Sequence, residues 1–225
     1  MCFDPMTGKR GIAKTREVEG KTQVYMQLKS GESIILQTFT RSLQGEPEWK
    51  YRKEMDYSLS LDHGWKLRFV ESYPAIEGEF KIDTPSSWTE VAHPAAKINR
   101  GTALYSLELD LPELSADDWV LDLGDVRESA RVRINGQEAG IAWAALFRLS
   151  IGQLLKSGKN LIEVEVTNLP ANSIAEMDRQ GKQWRIFEDI NMAKLNYEKG
   201  TYGHWETLPS GLNGIVRLIP VKYLF

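Results

Sequence analysis

The chain has 225 residues, 42% of them hydrophobic and 26% charged, with a formal net charge of −3. That length suits one large β domain or a medium domain with an appendage, and the mixing of acidic and basic residues offers no bulk field for nucleic acid or an anionic membrane. No apolar run reaches the roughly 18–20 residues needed to cross a bilayer, and Cys2 is the sole cysteine, so an intrachain disulfide is excluded and the redox compartment stays open.

The opening MCFDPMTGKRG has neither the basic start nor the apolar stretch of a secretory signal. Two strand-like runs follow, TQVYMQL and SIILQTF, separated by the turn-forming KSGE, with an earlier turn at EGK. They read as a last hairpin, or as the three-stranded edge of a sheet. A hairpin alone is marginal in water, so this piece must pack on something larger. Residues 41–55 turn polar and charged, with Gly and Pro, and read as a linker. Next come YSLSL and GWKLRFV, then a turn-rich stretch over 83–101.

From residue 102 strand signals crowd together: TALYSLELDL, WVLDLG, SARVRING, EAGIAW, FRLSI and NLIEVEVTN. Short strands at regular spacing with Gly and Asn turns predict an antiparallel sandwich. Within ARVRINGQEAGIAW, the Asn135-Gly136 pair predicts a hairpin, because a type I′ turn needs positive φ at both central positions. Alternation then puts Ala130, Val132 and Ile134 on one face and Arg131 and Arg133 on the other. The arginines read as a solvated face rather than a polyanion strip. The run GIVRLIPVKYLF closes the sheet. Residues 169–211 carry little strand signal, and a loop that long is normally functional or held by contacts.

The chemistry-bearing candidates lie mostly in that loop. His63, His93 and His204 are scattered, with no metal-binding spacing. There is no nucleophile elbow and no phosphate-cradling glycine motif. Glycoside hydrolysis needs two carboxylates about 5–10 Å apart. Glu176, Asp178, Glu188, Asp189, Glu198 and Glu206 supply the residue type, although a sequence cannot show that two converge. Asn168, Asn172, Arg179, Gln183, Trp184, Arg185, Asn191 and Trp205 add planar hydrogen-bonding groups and indole faces, the mixture that binds sugars. The residues singled out for carbohydrate contact are Trp143, Asn172, Asp178, Arg179, Trp184, Trp205 and Glu206. The alternative for the seven tryptophans of the chain is that they plug the core or anchor the loop.

The run from Leu121 to Asn168 resembles the galactose-binding-like sandwich of family 2 and family 106 glycoside hydrolases. It carries D-L-G-x-V at Asp122–Val126, V-x-x-N-G-x-x-x-G-x-x-W at Val132–Trp143, an aromatic-Arg pair at Phe147–Arg148 and LKSGKNLIEVEVTN at Leu155–Asn168. TNLPANSIAEMD and PSGLNGIV resemble the ending of family 106 α-L-rhamnosidase-type proteins. Ser173 stands where Arg is usual and Ile215 where Pro is usual. The opening residues resemble the final strands of the β domain that precedes this sandwich in such enzymes.

The resemblance implies an all-β, galactose-binding-like jelly-roll sandwich with a short N-terminal β appendage. It divides the chain into terminal strands of a preceding β domain (1–42), a linker (43–55) and the sandwich (56–225). The family's catalytic carboxylates sit in a separate upstream barrel, so no catalytic residue carries over. The implied role is that of a non-catalytic accessory domain whose partners are a catalytic barrel domain and a glycan such as a plant or pectic oligosaccharide. A structural calcium and a periplasmic or extracellular setting also follow from the resemblance alone. A complete hydrolase using carboxylates of residues 169–211, and a purely structural domain, stay open as alternatives.

Overall fold

The computed structural model describes residues 1–111, 113, 115–185 and 200–225. The first fifty residues hold β1 (Cys2–Phe3), β2 (Arg10–Gly11), β3 (Thr15–Val18), β4 (Lys21–Val24) and β5 (Ile35–Leu36). The runs TQVYMQL and SIILQTF do not pair with each other, contrary to the hairpin reading. β4 folds back on β3 across the EGK turn, and β5 joins β1 and β2 in a small sheet. The reason is local: Glu19 and Gly20 both adopt positive φ, 52° and 70°, the pair a tight hairpin turn requires.

The sandwich follows with β6 (Tyr51–Glu54), β7 (Leu59–Ser60), β8 (Trp65–Tyr73), β9 (Glu79–Ile82), β10 (Arg100–Leu111) and β11 (Asp118–Asp122). It continues with β12 (Val126–Arg127), β13 (Ser129–Ile134), β14 (Gln137–Ala142), β15 (Arg148–Ser150), β16 (Gly158–Thr167), β17 (Gly211–Leu212) and β18 (Arg217–Leu224). One sheet has the order β14-β13-β16-β10-β8-β9. The other runs β15-β11-β18-β6, with β7 also on β18. All their pairings are antiparallel.

Alternation builds the core. Ala103, Tyr105 and Leu107 of β10 and Ile162, Val164 and Val166 of β16 point inward, against Trp65, Trp88, Leu121 and Leu218. Burying each such aliphatic side chain stabilises by about 1.5–3 kcal/mol. The outward faces carry opposite charges in register: Arg131 opposite Glu165 and Arg133 opposite Glu163, with Arg133 ion-paired diagonally to Glu165 at 2.6 Å. The hairpin turns where expected, with Asn135 at φ 54° and Gly136 at 80°, and a bulge between the Arg133–Glu138 and Val132–Gly140 pairs then shifts its register.

Tyr51–Glu54, inside the stretch read as a linker, is a strand of the second sheet, paired with the last strand of the chain. The N-terminal segment lies along it. Lys14 N–H donates to Tyr51 Oη, Tyr51 Oη donates to the Tyr25 carbonyl, and the Gln27 amide exchanges two bonds with the Arg52 backbone. Lys29 pairs with Glu54. A Cβ on Gly11 would sit 2.6 Å from Trp49 N, so only glycine lets the two backbone segments touch. In the same sheet β11, between β15 and β18, has all five residues buried, two of them, Trp119 and Leu121, in the main core. Val120 packs instead with Ile219 and Val221 on the other side of its sheet.

Candidate functional site: the aromatic end of the sandwich

β14 ends at Ala142, which pairs with Ala130, which pairs in turn with Val166. Trp143 therefore sits at the sandwich end from which β16 leaves for residues 169–210. Its indole is 59% exposed, so it is not a core plug.

The excursion is pinned where it starts and where it returns. Asn168 accepts from Gly101 N–H at 3.0 Å and donates to the Asn99 carbonyl at 3.0 Å and to Ser210 Oγ at 3.1 Å. Ser210 N–H donates to Ser87 Oγ at 2.9 Å, and Trp88 N–H to the Ser210 carbonyl. Gly211, at φ 97°, faces Tyr105 Oη and Trp88; an added Cβ would come within 2.1 Å of the phenol oxygen. Burial pushes the Tyr105 phenol far above its usual range. The T-N and P-S-G-L motifs are thus a polar clip closed over the core.

Between the two pins the chain is not all loop. Residues Ala171–Arg179 form α1, a helix whose buried residues are Asn172, Ser173 and Ala175. The Asn172 amide donates to the Leu208 carbonyl and accepts from Leu208 N–H, both at 2.8 Å. Asp178 accepts from the Trp184 indole N–H at 2.5 Å and from the Tyr202 backbone N–H. Arg179 donates to the carbonyls of Gly203 and Trp205 at 2.9 and 2.7 Å, and to Glu176 at 3.1 Å. Hydrogen bonds from Gln180, then Arg179, hold the Glu176 carboxyl below the usual range.

This framework carries a row of rings. Trp184 and Tyr202 have centroids 5.8 Å apart at 48°, and Tyr202 and Trp205 lie 4.6 Å apart at 47°. The Arg185 guanidinium covers Trp184 and Tyr202 at 4.9 and 5.4 Å and donates to the Gly200 carbonyl. Gln183 donates to the Arg185 carbonyl. Trp205 is 39% exposed, and Glu206 beside it is exposed. Glu188, Asp189, Asn191 and Glu198 lie outside the described residues.

The structure therefore sorts the sequence candidates. Asn172, Asp178 and Arg179 are committed to backbone groups and to the Trp184 indole; Trp143, Trp205 and Glu206 face outward. Tyr202, the middle ring, was missed by sequence reasoning, and its place between two tryptophans had no signal beyond its residue type. Among the described residues, no three His, Cys, Asp or Glu side chains come together as metal ligands. No helix among them is long and apolar enough to cross a membrane. A depression of about 390 Å3 at the opposite end of the sandwich, around Asn135, Lys156 and Asn160, has no aromatic lining.

No protein-family model matches the chain. A putative β-glucuronidase of Formosa agariphila is 29% identical over 197 residues, covering 79% of this chain and 17% of that protein. The rhamnosidase of Novosphingobium sp. PP1Y superposes with a TM-score of 0.73 at 25% identity, covering 97% of this chain and 20% of the enzyme. The chain is similar to part of a glycoside hydrolase. The β-glucuronidase of Bifidobacterium dentium, solved with coumarin-3-O-glucuronide, shares the fold at a TM-score of 0.51 and 19% identity, over 75% of this chain and 31% of that enzyme. The chain spans about a fifth of the length of the Formosa and Novosphingobium relatives. The fold is an all-β sandwich of the kind such hydrolases carry.

Proposed function

We propose that the chain is a galactose-binding-like accessory domain of a glycoside hydrolase, and that its Trp143–Trp205 end supports or extends that enzyme's glycan site. One observation carries the reading: an outward Trp143 at the end of the sandwich from which residues 169–210 depart, and an outward Trp205 set on the hydrogen-bonded framework of that excursion. Rigid aromatic faces bind the apolar side of a sugar ring at low entropic cost. The short share of its hydrolase relatives supports an accessory part rather than a whole enzyme. The half-exposed Leu28, Ile35 and Leu36 support reading residues 1–42 as strands that pack against a neighbouring hydrolase domain. In this reading Trp143, Trp205 and Glu206 touch the glycan, with Trp184 behind them, and Asn172, Asp178 and Arg179 hold the framework.

Titration calorimetry with rhamnose- and glucuronate-containing oligosaccharides tests it. We expect dissociation constants on the order of 0.1–1 mM, weakened about tenfold, or 1.4 kcal/mol, by Trp205→Ala or Trp143→Ala. Absence of binding to any of these sugars, with an unchanged melting temperature throughout, supports a purely structural domain instead.

A further inference from the structure

The ring geometry speaks to how much glycan this end can hold. A platform for consecutive residues of an extended chain needs successive rings that each keep a free face. Here successive planes are tilted by 48° and 47°. Tyr202 is wedged between two indoles, and Arg185 lies over both Tyr202 and Trp184. Of the three rings only Trp205 counts as exposed; the other two are half-buried. Arg179 holds the Trp205 and Gly203 carbonyls, and Asp178 holds the Trp184 indole and the Tyr202 N–H, so the backbone that carries the row and the Trp184 ring are fixed in place.

From this we infer that the Trp205 shelf takes a single, neutral sugar residue at the end of a glycan rather than a stretch along its chain, an inference that rests on the glycan-binding reading above. The ring's apolar C–H face stacks on the Trp205 indole. The Glu206 carboxylate, exposed and bonded to no described residue, accepts from sugar hydroxyls and disfavours a uronate at this position by like-charge repulsion. Asp178 is a positioning residue: it touches no sugar but fixes the ring that backs the shelf.

The test is a chemical-shift titration of the whole chain with methyl α-L-rhamnoside, methyl β-D-glucuronide, and neutral linear oligosaccharides of two to six residues. In a Trp143→Ala background, which isolates the Trp205 shelf, affinity is expected to change less than threefold across the length series and to be weaker for the glucuronide by fivefold or more. Trp205→Leu, which keeps apolar volume without a ring, should weaken binding about tenfold, and Glu206→Gln should narrow the neutral-to-acidic difference. Asp178→Asn should shift the Trp184 indole N–H resonance and weaken binding while leaving the lack of length dependence intact. Affinity rising tenfold or more with length, or preference for the glucuronide, overturns this inference alone. Absence of binding to every probe removes it together with the reading it rests on.

Discussion

Asn172 offers a sharp trial of the framework, because its residue type suits a sugar ligand while its geometry assigns it elsewhere. The side chain is 5% exposed, and both ends of its amide are bonded to the Leu208 backbone at 2.8 Å. Asn172→Ala removes two hydrogen bonds worth about 1 kcal/mol each and leaves a donor and an acceptor unmet, whose desolvation costs about 1–3 kcal/mol when buried. Leu208 is half-exposed, so water recovers part of that, and the sum is about 2–3 kcal/mol. For a chain of this size each kcal/mol lowers the melting temperature by about 2–4 °C, so a fall of roughly 4–12 °C is expected in a circular-dichroism melt. Asn172→Asp sharpens the trial. It keeps the acceptor for Leu208 N–H but sets a lone pair against the Leu208 carbonyl, so the new carboxyl is stable there only when protonated. Its folded pKa then lies above the unfolded value of about 3.9. The variant's bond is present below that value and lost as pH rises through the folded pKa, so its deficit relative to the parent grows from pH 4 to pH 7. A melting temperature within 1 °C of the parent for both variants, with sugar binding lost, would refute the reasoning and make Asn172 a ligand contact.

Gly211→Ala should destabilise by about 3 kcal/mol or more, since its Cβ meets Tyr105 and Trp88. Gly136→Ala, with open space around it, should cost only the ~1–2 kcal/mol of its positive φ, and urea melts of the two variants give the comparison. A double-mutant cycle on Arg133 and Glu165 should return a coupling too small to move the melting temperature, and smaller still in high salt, because both partners are reached by water. Because the folded Glu176 carboxyl is held below its ordinary range, its contribution to α1 is present above the unfolded pKa and is lost as pH falls through the folded one. An NMR titration of the Glu176 side chain and the α1 amides should show that loss below about pH 4.

What the sequence disclosed and what it hid divide by the range of the interaction involved. The Asn135-Gly136 hairpin, the alternation of β10 and β16 and the all-β class depend on neighbours within a few residues, and they could be read directly. The helix α1 could not. It has no side-chain cap at Pro170, runs only nine residues, and buries Asn172 and Ser173 where an apolar stripe would have announced it. β6 was hidden because one buried residue, Tyr51, defines it, and its partner strand is the last in the chain. β5 paired with a two-residue strand at the N-terminus, too short to leave a pattern. At the aromatic end, residue types pointed to the stretch that carries the ring row. The commitments of Asn172 and Asp178 are to groups 36 and 24 residues away, contacts that no local spacing encodes.

The clip at Asn168 and Ser210 has a further consequence. Forty-two positions of sequence separate two side chains 3.1 Å apart, so the excursion leaves and re-enters the sandwich through one doorway. Closing a longer loop costs only about 0.6 kcal/mol per doubling of its length, so beyond the packed α1 and its bonds to Leu208 the connection can lengthen with little effect on the sheets beneath. The sandwich is in that sense a chassis whose single doorway, Asn168 to Ser210, sets the place at which added chain length is borne outside the sheets.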